Sequence, residues 1–405
     1  MNKIVAVAVS GGRDSMALLH CTMRAVSGLG IEVVALHVHH GLQPAADAWA
    51  EHVEKSCRRW GAHFAMQHLP GKPGQGESVE AWARRGRYLA LAAMARAAQA
   101  DLVLLAHHRG DQAETFMLQA LRGAGPAGLA AMPRQVLRNG IVWGRPWLEV
   151  PGASIDAYVR RHRLRHVEDP SNTDARYARS RLRAQVMPQL CKAFANAEAM
   201  LAAASARSAE AQALLSEVAQ TDLDAIGDGP SLRLAPWRAL SESRRGNVLR
   251  AWLRERLCRG APQSLVERLL LELPGTGPAE WPCEGATLRR YRGRLHAVAA
   301  LAAQEPRGSL QSTPVGQGGV ALGVLRDAQW RARSGGERFQ RAAGTPPRSL
   351  KKQFQAAGVP SWQRDAPLLF SADGRLLFVP GLGIDARALA APGEAQCALA
   401  WVQED

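Results

Sequence analysis

The sequence predicts an α/β protein: a parallel, doubly wound sheet over residues 1–190, a mainly helical domain over 191–303, a linker at 304–319 and a small, basic α+β domain over 320–405. Three observations predict it. Short β-branched runs alternate with long helical patterns through the first 150 residues, the pattern turns Ala-rich and helical past residue 190, and a Gly/Pro/Ser-rich stretch precedes a last segment with hairpin signals. At 405 residues, with 47% hydrophobic and 21% charged residues, the chain has material for two or three cores.

Ile4–Val9, Glu32–Val38, His63–His68 and Leu102–Ala106 read as strands, and Ser15–Val26, Ala46–Trp60 and Val79–Ala98 between them as helices. Strict alternation of this kind gives right-handed crossovers, hence a parallel sheet covered on both faces that binds ligands at its carboxyl edge. Ala195–Ala219, Trp237–Leu257 and Pro262–Leu273 carry helical patterns, and Thr287–Tyr291 with Leu295–Ala299 forms a hairpin around Arg292-Gly293. Gln304–Gly319, rich in Pro, Gly and Ser, reads as the linker. Asp373-Gly374 then marks a second hairpin between Leu368–Ser371 and Leu376–Val379.

The charge excludes some partners and favours others. Lys and Arg number 51 against 36 acids, a net +15, and only 6 of the 51 are Lys. Guanidinium forks pair with phosphates and stack on bases, so the balance points to an anionic partner such as nucleic acid. The longest apolar run, Tyr88–Ala95, is far short of the roughly 18 residues of a membrane span. No signal-peptide pattern follows Lys3, and a cytoplasmic protein is expected. Six scattered cysteines without a C-x-x-C pair read as buried free thiols, not as a disulfide, zinc or iron–sulfur framework.

The strongest motif is Ser10-Gly11-Gly12-Arg13-Asp14-Ser15, between the first strand and the first helix. Paired glycines let backbone N–H groups approach a phosphate, the helix N-terminus adds positive potential, and Ser10 and Ser15 add hydroxyls. Asp14 would repel a polyphosphate unless a divalent cation lay between them, which implies Mg²⁺. The plainer alternative is a capped helix whose dipole Asp14 complements. A second motif, His107-His108-Arg109-Gly110-Asp111-Gln112-Ala113-Glu114-Thr115, follows the fourth strand. A helix starting near Gly110 puts Asp111, Glu114 and Thr115 on one face at the ligand-binding edge, with His107 at its mouth. On the helix before it, Arg84, Arg87 and Tyr88 share a face that suits an anion or a base. Two further stretches are basic: residues 160–183 hold eight Arg, and residues 331–365 hold eight Lys or Arg against Glu337 and Asp365.

Together these blocks resemble the tRNA(Ile)-lysidine synthetases of the PP-loop ATP pyrophosphatase superfamily. The match runs through Ser10–Ser15, His39-His40-Gly41-Leu42, Glu80 with Ala83-Arg84-Arg87-Tyr88, His107–Thr115, Arg122–Gly125, Arg145-Pro146, and Asp169-Ser171-Asn172 with Tyr177-Arg179-Arg181-Arg183. Gly110 stands where the first of two consecutive Asp is usual, leaving Asp111 alone, and Ser180 stands where Asn is usual. The resemblance implies a PP-loop (adenine nucleotide alpha-hydrolase-like) fold. The implied reaction is ATP-dependent ligation of L-lysine to the wobble cytidine of a CAU-anticodon tRNA(Ile), through an adenylated cytidine, with AMP and pyrophosphate as products. It implies ATP binding by Ser10, Gly11, Gly12, Arg13, Asp14 and Ser15, with Asp14 on Mg²⁺. Catalytic roles fall to Asp14, Arg84, Arg87, His107, Asp111 and Glu114, undivided among them, and the oligomeric state stays open. The alternatives are a PP-loop tRNA thiolation enzyme, a small-molecule PP-loop synthetase and a noncatalytic tRNA-binding protein.

Overall fold

The computed structural model describes residues 3–41, 45–71, 74, 79–168, 174, 176–257, 260–299 and 308–403. The Asp169–Asn172 motif and Cys258 lie outside them. The chain divides into two compact units, residues 1–214 and 215–405.

The first unit begins with β1 (Lys3–Ala8), α1 (Arg13–Ala25), β2 (Ile31–His39), α2 (Ala46–Trp60), β3 (His63–His68), α3 (Val79–Ala97), β4 (Leu102–Leu104) and α4 (Arg109–Ala120). These elements fall within a few residues of the sequence expectations. After α5 (Pro126–Leu129) come β5 (Gln135–Arg138) and β6 (Ile141–Gly144), which the sequence pattern does not announce. The sheet order is β3-β2-β1-β4-β6-β5. β1 pairs in parallel with β2 (Val5↔Val33) and with β4 (Val5↔Leu102), β6 continues the parallel set, and β5 closes the edge antiparallel.

Successive side chains of a strand point to opposite faces, and β1 sorts its residues accordingly. Ala6 packs with Val34, Leu36, Val103 and the α3 residues Ala90, Leu91 and Met94, while Val7 packs with Val33, Ala35, Met16 and Leu19 of α1 and Val53 and Cys57 of α2. Both faces are thereby covered, as a doubly wound sheet requires. Chain order reverses between β1 and β4, so the loops leaving these two strands open a crevice at the carboxyl edge. The unit continues through α6 (Gly152–His162), α7 (Ala178–Arg181), a π turn (Leu182–Val186), α8 (Met187–Ala193) and α9 (Ala197–Ile226).

In the second unit, helices 242–256 and 263–272 pack on a five-stranded antiparallel sheet around buried Trp237, Trp252 and Trp281. The mainly helical expectation holds for residues 191–303, with one addition: hairpin 286–299 belongs to a full sheet with strands 227–228, 231–233 and 279–283. The linker expectation also fails in part. Residues 304–307 lie outside the described residues, but Gly308–Val315 is a strand paired antiparallel with Gln396–Gln403. Leu310 packs into the apolar cluster around Val320, Leu377 and Phe378, and as an edge strand this segment tolerates Pro314. The hairpin at Asp373-Gly374 forms as expected, with Gly374 at φ +85.

Among the described residues the thiols are free; Cys57 and Cys397 are buried, whereas Cys21, Cys191 and Cys283 are partly exposed. Burial pushes the Cys57 thiol up to about 12, so it serves as packing. Among the described residues no helix is long and apolar enough to cross a membrane.

Candidate active site

The glycine loop leaves β1 and enters α1 through Gly11, whose left-handed backbone favours glycine. Gly11 has φ +89, and a Cβ there would stand 2.9 Å from Val167 Cγ2, while its carbonyl accepts a hydrogen bond from the Val167 amide at 3.0 Å. The two hydroxyls are spent inside the loop. Ser15 Oγ donates to the Gly12 carbonyl (2.9 Å), the Ser10 amide donates to Ser15 Oγ (3.2 Å), and the Gly12 amide donates to Ser10 Oγ (3.3 Å). Ser10 and Ser15 thus shape the loop. Gly12 caps α1 without a side-chain hydrogen bond, leaving the amides of the first turn as the anion-binding pole. Arg13 donates to Asp14 (2.8 Å) and to Asp156 (2.6 Å), so Asp14 carries a protein counter-charge that sequence reasoning did not supply.

The second motif faces it across the switch point. His108 is the N-cap of α4: its Nδ1 accepts from the Gly110 amide (3.0 Å), and Asp111 Oδ2 accepts from the His108 amide (3.0 Å). With Nδ1 accepting, the neutral imidazole carries its proton on Nε2. That atom lies 3.9 Å from Asp14 Oδ2 and 3.6 Å from Asp111 Oδ2, joining the two motifs. Burial works to raise the Asp111 carboxyl, but the His108 imidazole and amide, with His107 and Arg183, hold it below its ordinary value.

Arg183, on the π turn, closes the site. It donates to both oxygens of Glu114 (2.6 and 2.8 Å) and to Asp111 (3.0 Å), and Glu114 raises the pKa of its guanidinium against the opposing effect of burial. Arg179 lies 3.7 Å from Glu114 and donates to Thr115. π turns are uncommon and concentrate at functional sites. Glu198, from the first turn of α9, accepts from Arg109 (2.8 Å). A cleft of about 310 Å³ is lined by Arg13, Asp14, His108, Gly110, Glu114, Arg183 and Glu198, with Met187, Pro188 and Cys191. That volume is at the small end for ligand pockets.

Of the expected site residues, the structure brings Asp14, Asp111 and Glu114 together. His107 is not at the mouth of the motif: it is part-buried, and its Nδ1 finds no hydrogen-bond partner among the described residues. Its place is taken by His108, because the helix cap turns the second imidazole inward. Arg84 and Arg87 lie outside the cleft lining, on the exposed side of α3, where Arg84 stacks over Tyr88 at 5.7 Å. The charge of Arg87 still bears on His107. Sequence reasoning missed His108, and it read Arg179 and Arg183 as part of a phosphate-binding stretch and of the family-like block, with no partner assigned to either. Glu198 carried no signal at all.

Burial pushes His107 down to about 4, and Arg145, Arg87 and Arg179 add to this against the pull of Asp111. A folded-state value below the ordinary 6.5 means that the unfolded chain binds the proton first. The group costs nothing above pH 6.5, and stability falls as pH drops from 6.5 towards 4. His107→Gln should flatten that part of the Tm profile, which thermal melts at half-unit pH intervals would read.

A parallel sheet with a glycine loop and strand-end carboxylates meeting at its switch point defines a PP-loop nucleotide-binding protein, and a PP-loop domain model matches residues 1–190. Models described as the TilS substrate binding domain and the TilS substrate C-terminal domain match residues 232–296 and 328–401. The chain is 41% identical to the tRNA(Ile)-lysidine synthase of Ralstonia nicotianae, over 95% of this chain and 90% of that one. It is 36% identical to that of Burkholderia mallei (94% and 89%) and 37% identical to that of Methylococcus capsulatus (93% and 90%). The chain belongs to the tRNA(Ile)-lysidine synthase family.

Proposed function

We propose that the protein uses ATP to adenylate the wobble cytidine of a CAU-anticodon tRNA(Ile) and joins L-lysine to that base, releasing pyrophosphate and then AMP. The observation that carries this reading is the meeting of the glycine-loop anion pole with the His108–Asp111–Glu114 constellation in one cleft at the β1/β4 switch point. The family supports ATP, tRNA and the ligase class. In the first step the cytidine C2 carbonyl oxygen attacks the α-phosphorus and pyrophosphate leaves. In the second the lysine ε-amine attacks C2, AMP leaves with the oxygen, and a nearby carboxylate takes the proton.

Ser10, Gly11, Gly12, Arg13, Asp14 and Ser15 are assigned to ATP: the loop glycines and first-turn amides of α1 hold the β and γ phosphates, and Ser10 and Ser15 keep the loop in shape. Arg84 and Arg87, on the exposed side of α3 outside the cleft lining, are assigned to substrate phosphate, and His107, part-buried and in the field of Asp111, to the wall behind that carboxylate. Asp111 and Glu114, fixed by Arg183, are assigned to the cytidine base. The donor set suits Mg²⁺ delivered with the nucleotide. Among the described residues no group of three or more His, Cys, Asp or Glu could hold a metal, and Mg²⁺ commonly takes one or two carboxylates plus substrate phosphates. Asp14 would be that carboxylate, and the metal would neutralise the departing pyrophosphate.

The domain assignment follows: residues 1–190 carry the chemistry, and 191–303 and 320–405 hold tRNA in the cytoplasm. Lys351 and Lys352, both exposed, belong to the basic stretch of the last domain. Replacing both by Glu should weaken tRNA binding and lower the slope of log K against log salt by about 0.9 for each phosphate no longer neutralised. ATP affinity should stay the same, as filter binding across a salt series would show.

The test is to incubate the protein with bulk bacterial tRNA, ATP and labelled amino acids supplied singly, and to chromatograph the spent nucleotide. AMP, pyrophosphate and label from lysine alone are expected. ADP, or label from another amino acid, would contradict the proposal. A thiolation enzyme generally calls for paired cysteines, whereas one cysteine, Cys191, lines this cleft.

A further inference from the structure

The carboxylates of the cleft differ in how far their oxygens are already committed. Asp111 accepts from the His108 amide on one oxygen and from Arg183 on the other, and Glu114 receives the Arg183 fork on both. Asp14 gives one oxygen to Arg13 and is assigned the metal with the other. Glu198 gives Oε1 to Arg109, and its Oε2 accepts no hydrogen bond from the described residues.

Gly110 explains how that oxygen comes to be there. A Cβ at position 110 would stand 2.8 Å from His108 Cε1 and 3.6 Å from Glu198 Oε2. Any side chain would therefore collide with the capping imidazole and fill the space that the Glu198 carboxylate faces. The bare position on α4 and the carboxylate on α9 form a matched pair, and both line the cleft. An uncommitted carboxylate oxygen at a partly exposed cleft wall, held by an arginine from behind, is a receptor for a cation with N–H donors.

We propose that Glu198 binds the ammonium of the L-lysine substrate, a specificity-determining contact supplied from outside both sequence motifs. This rests on the lysine-ligating reading above. The other role for such a residue is structural, since a first-turn carboxylate complements the α9 dipole and pairs with Arg109. The two roles separate by readout. A structural Glu198 would move Tm and the two substrates alike, whereas a receptor for the amino acid would move lysine alone.

The experiment uses the full chain with Glu198→Gln, Glu198→Ala and Glu198→Asp. Two steps are followed: tRNA-dependent pyrophosphate release without lysine, and product formation across a lysine series. The KM for lysine should rise about ten- to a hundredfold in Glu198→Gln, as for loss of one charge-assisted hydrogen bond, with the KM for ATP changing far less. Glu198→Asp should recover part of the loss. An unchanged lysine KM in Glu198→Gln, or parallel rises for lysine and ATP, would overturn the proposal. If the wild-type protein releases no pyrophosphate with tRNA, it is the ligase reading that fails, and the lysine series is not needed to see it.

Discussion

Asp14→Ala should lower tRNA-dependent AMP formation by about 10²–10³-fold or more, the scale of removing one preorganised electrostatic contact to the reacting group. Its structural cost should be small. Asp14 and Arg13 are each about a third exposed (31% and 37%), so their pair contributes at most about 1 kcal/mol after solvent screening, and a first-turn carboxylate adds about 0.3–1 kcal/mol. Arg13 keeps Asp156 at 2.6 Å after the change. Pyrophosphate release and a thermal melt on the same preparation would separate the effects. A variant that melts normally and turns over at the wild-type rate would remove Asp14 from the reaction.

Glu114→Ala should be the most damaging single change to the site, because it costs both stability and turnover. Glu114 is 5% exposed and takes the whole Arg183 fork, with Arg179 beside it. Breaking a buried pair from one side costs about 3–5 kcal/mol, and the 45% exposure of Arg183 brings this down to about 2 kcal/mol. The loss comes largely from leaving Arg179 without its carboxylate and Arg183 with Asp111 alone, so the pair must be non-additive. The double variant Glu114→Ala, Arg183→Ala should be less destabilised than the sum of the single changes, as denaturant titration of the four proteins would measure. Additive losses would mean that the ion pair does not organise the cleft.

Much of this was legible in the chain, and what was not has a physical reason. Strands of six or more residues with helices between them, such as β1, β2 and β3, announce themselves by period. β6 has only four residues, and β5 is wholly exposed, so neither carries a clear alternation. The 304–319 stretch misled because Pro and Gly mark turns, whereas pairing with Gln396–Gln403 decides that Gly308–Val315 is a strand. In the site, residues adjacent in sequence were found and distant ones were not. Arg183 reaches Glu114 across 69 positions and Arg109 reaches Glu198 across 89, which no local pattern encodes. The exchange of His107 for His108 is of another kind. Both follow the same strand, and only the hydrogen bond from the Gly110 amide determines which ring turns into the cleft.

The central claim is that one cleft first adenylates tRNA and then passes it to lysine. A pulse–chase with ATP labelled on the α-phosphate tests it most directly. The full chain is mixed with tRNA(Ile) and labelled ATP without lysine, quenched in part, and the remainder chased with lysine and excess unlabelled ATP. Label should be covalently held on tRNA before the chase and released as AMP, in step with lysine incorporation, after it. Label that never enters tRNA, or that leaves without lysine being joined, would contradict it.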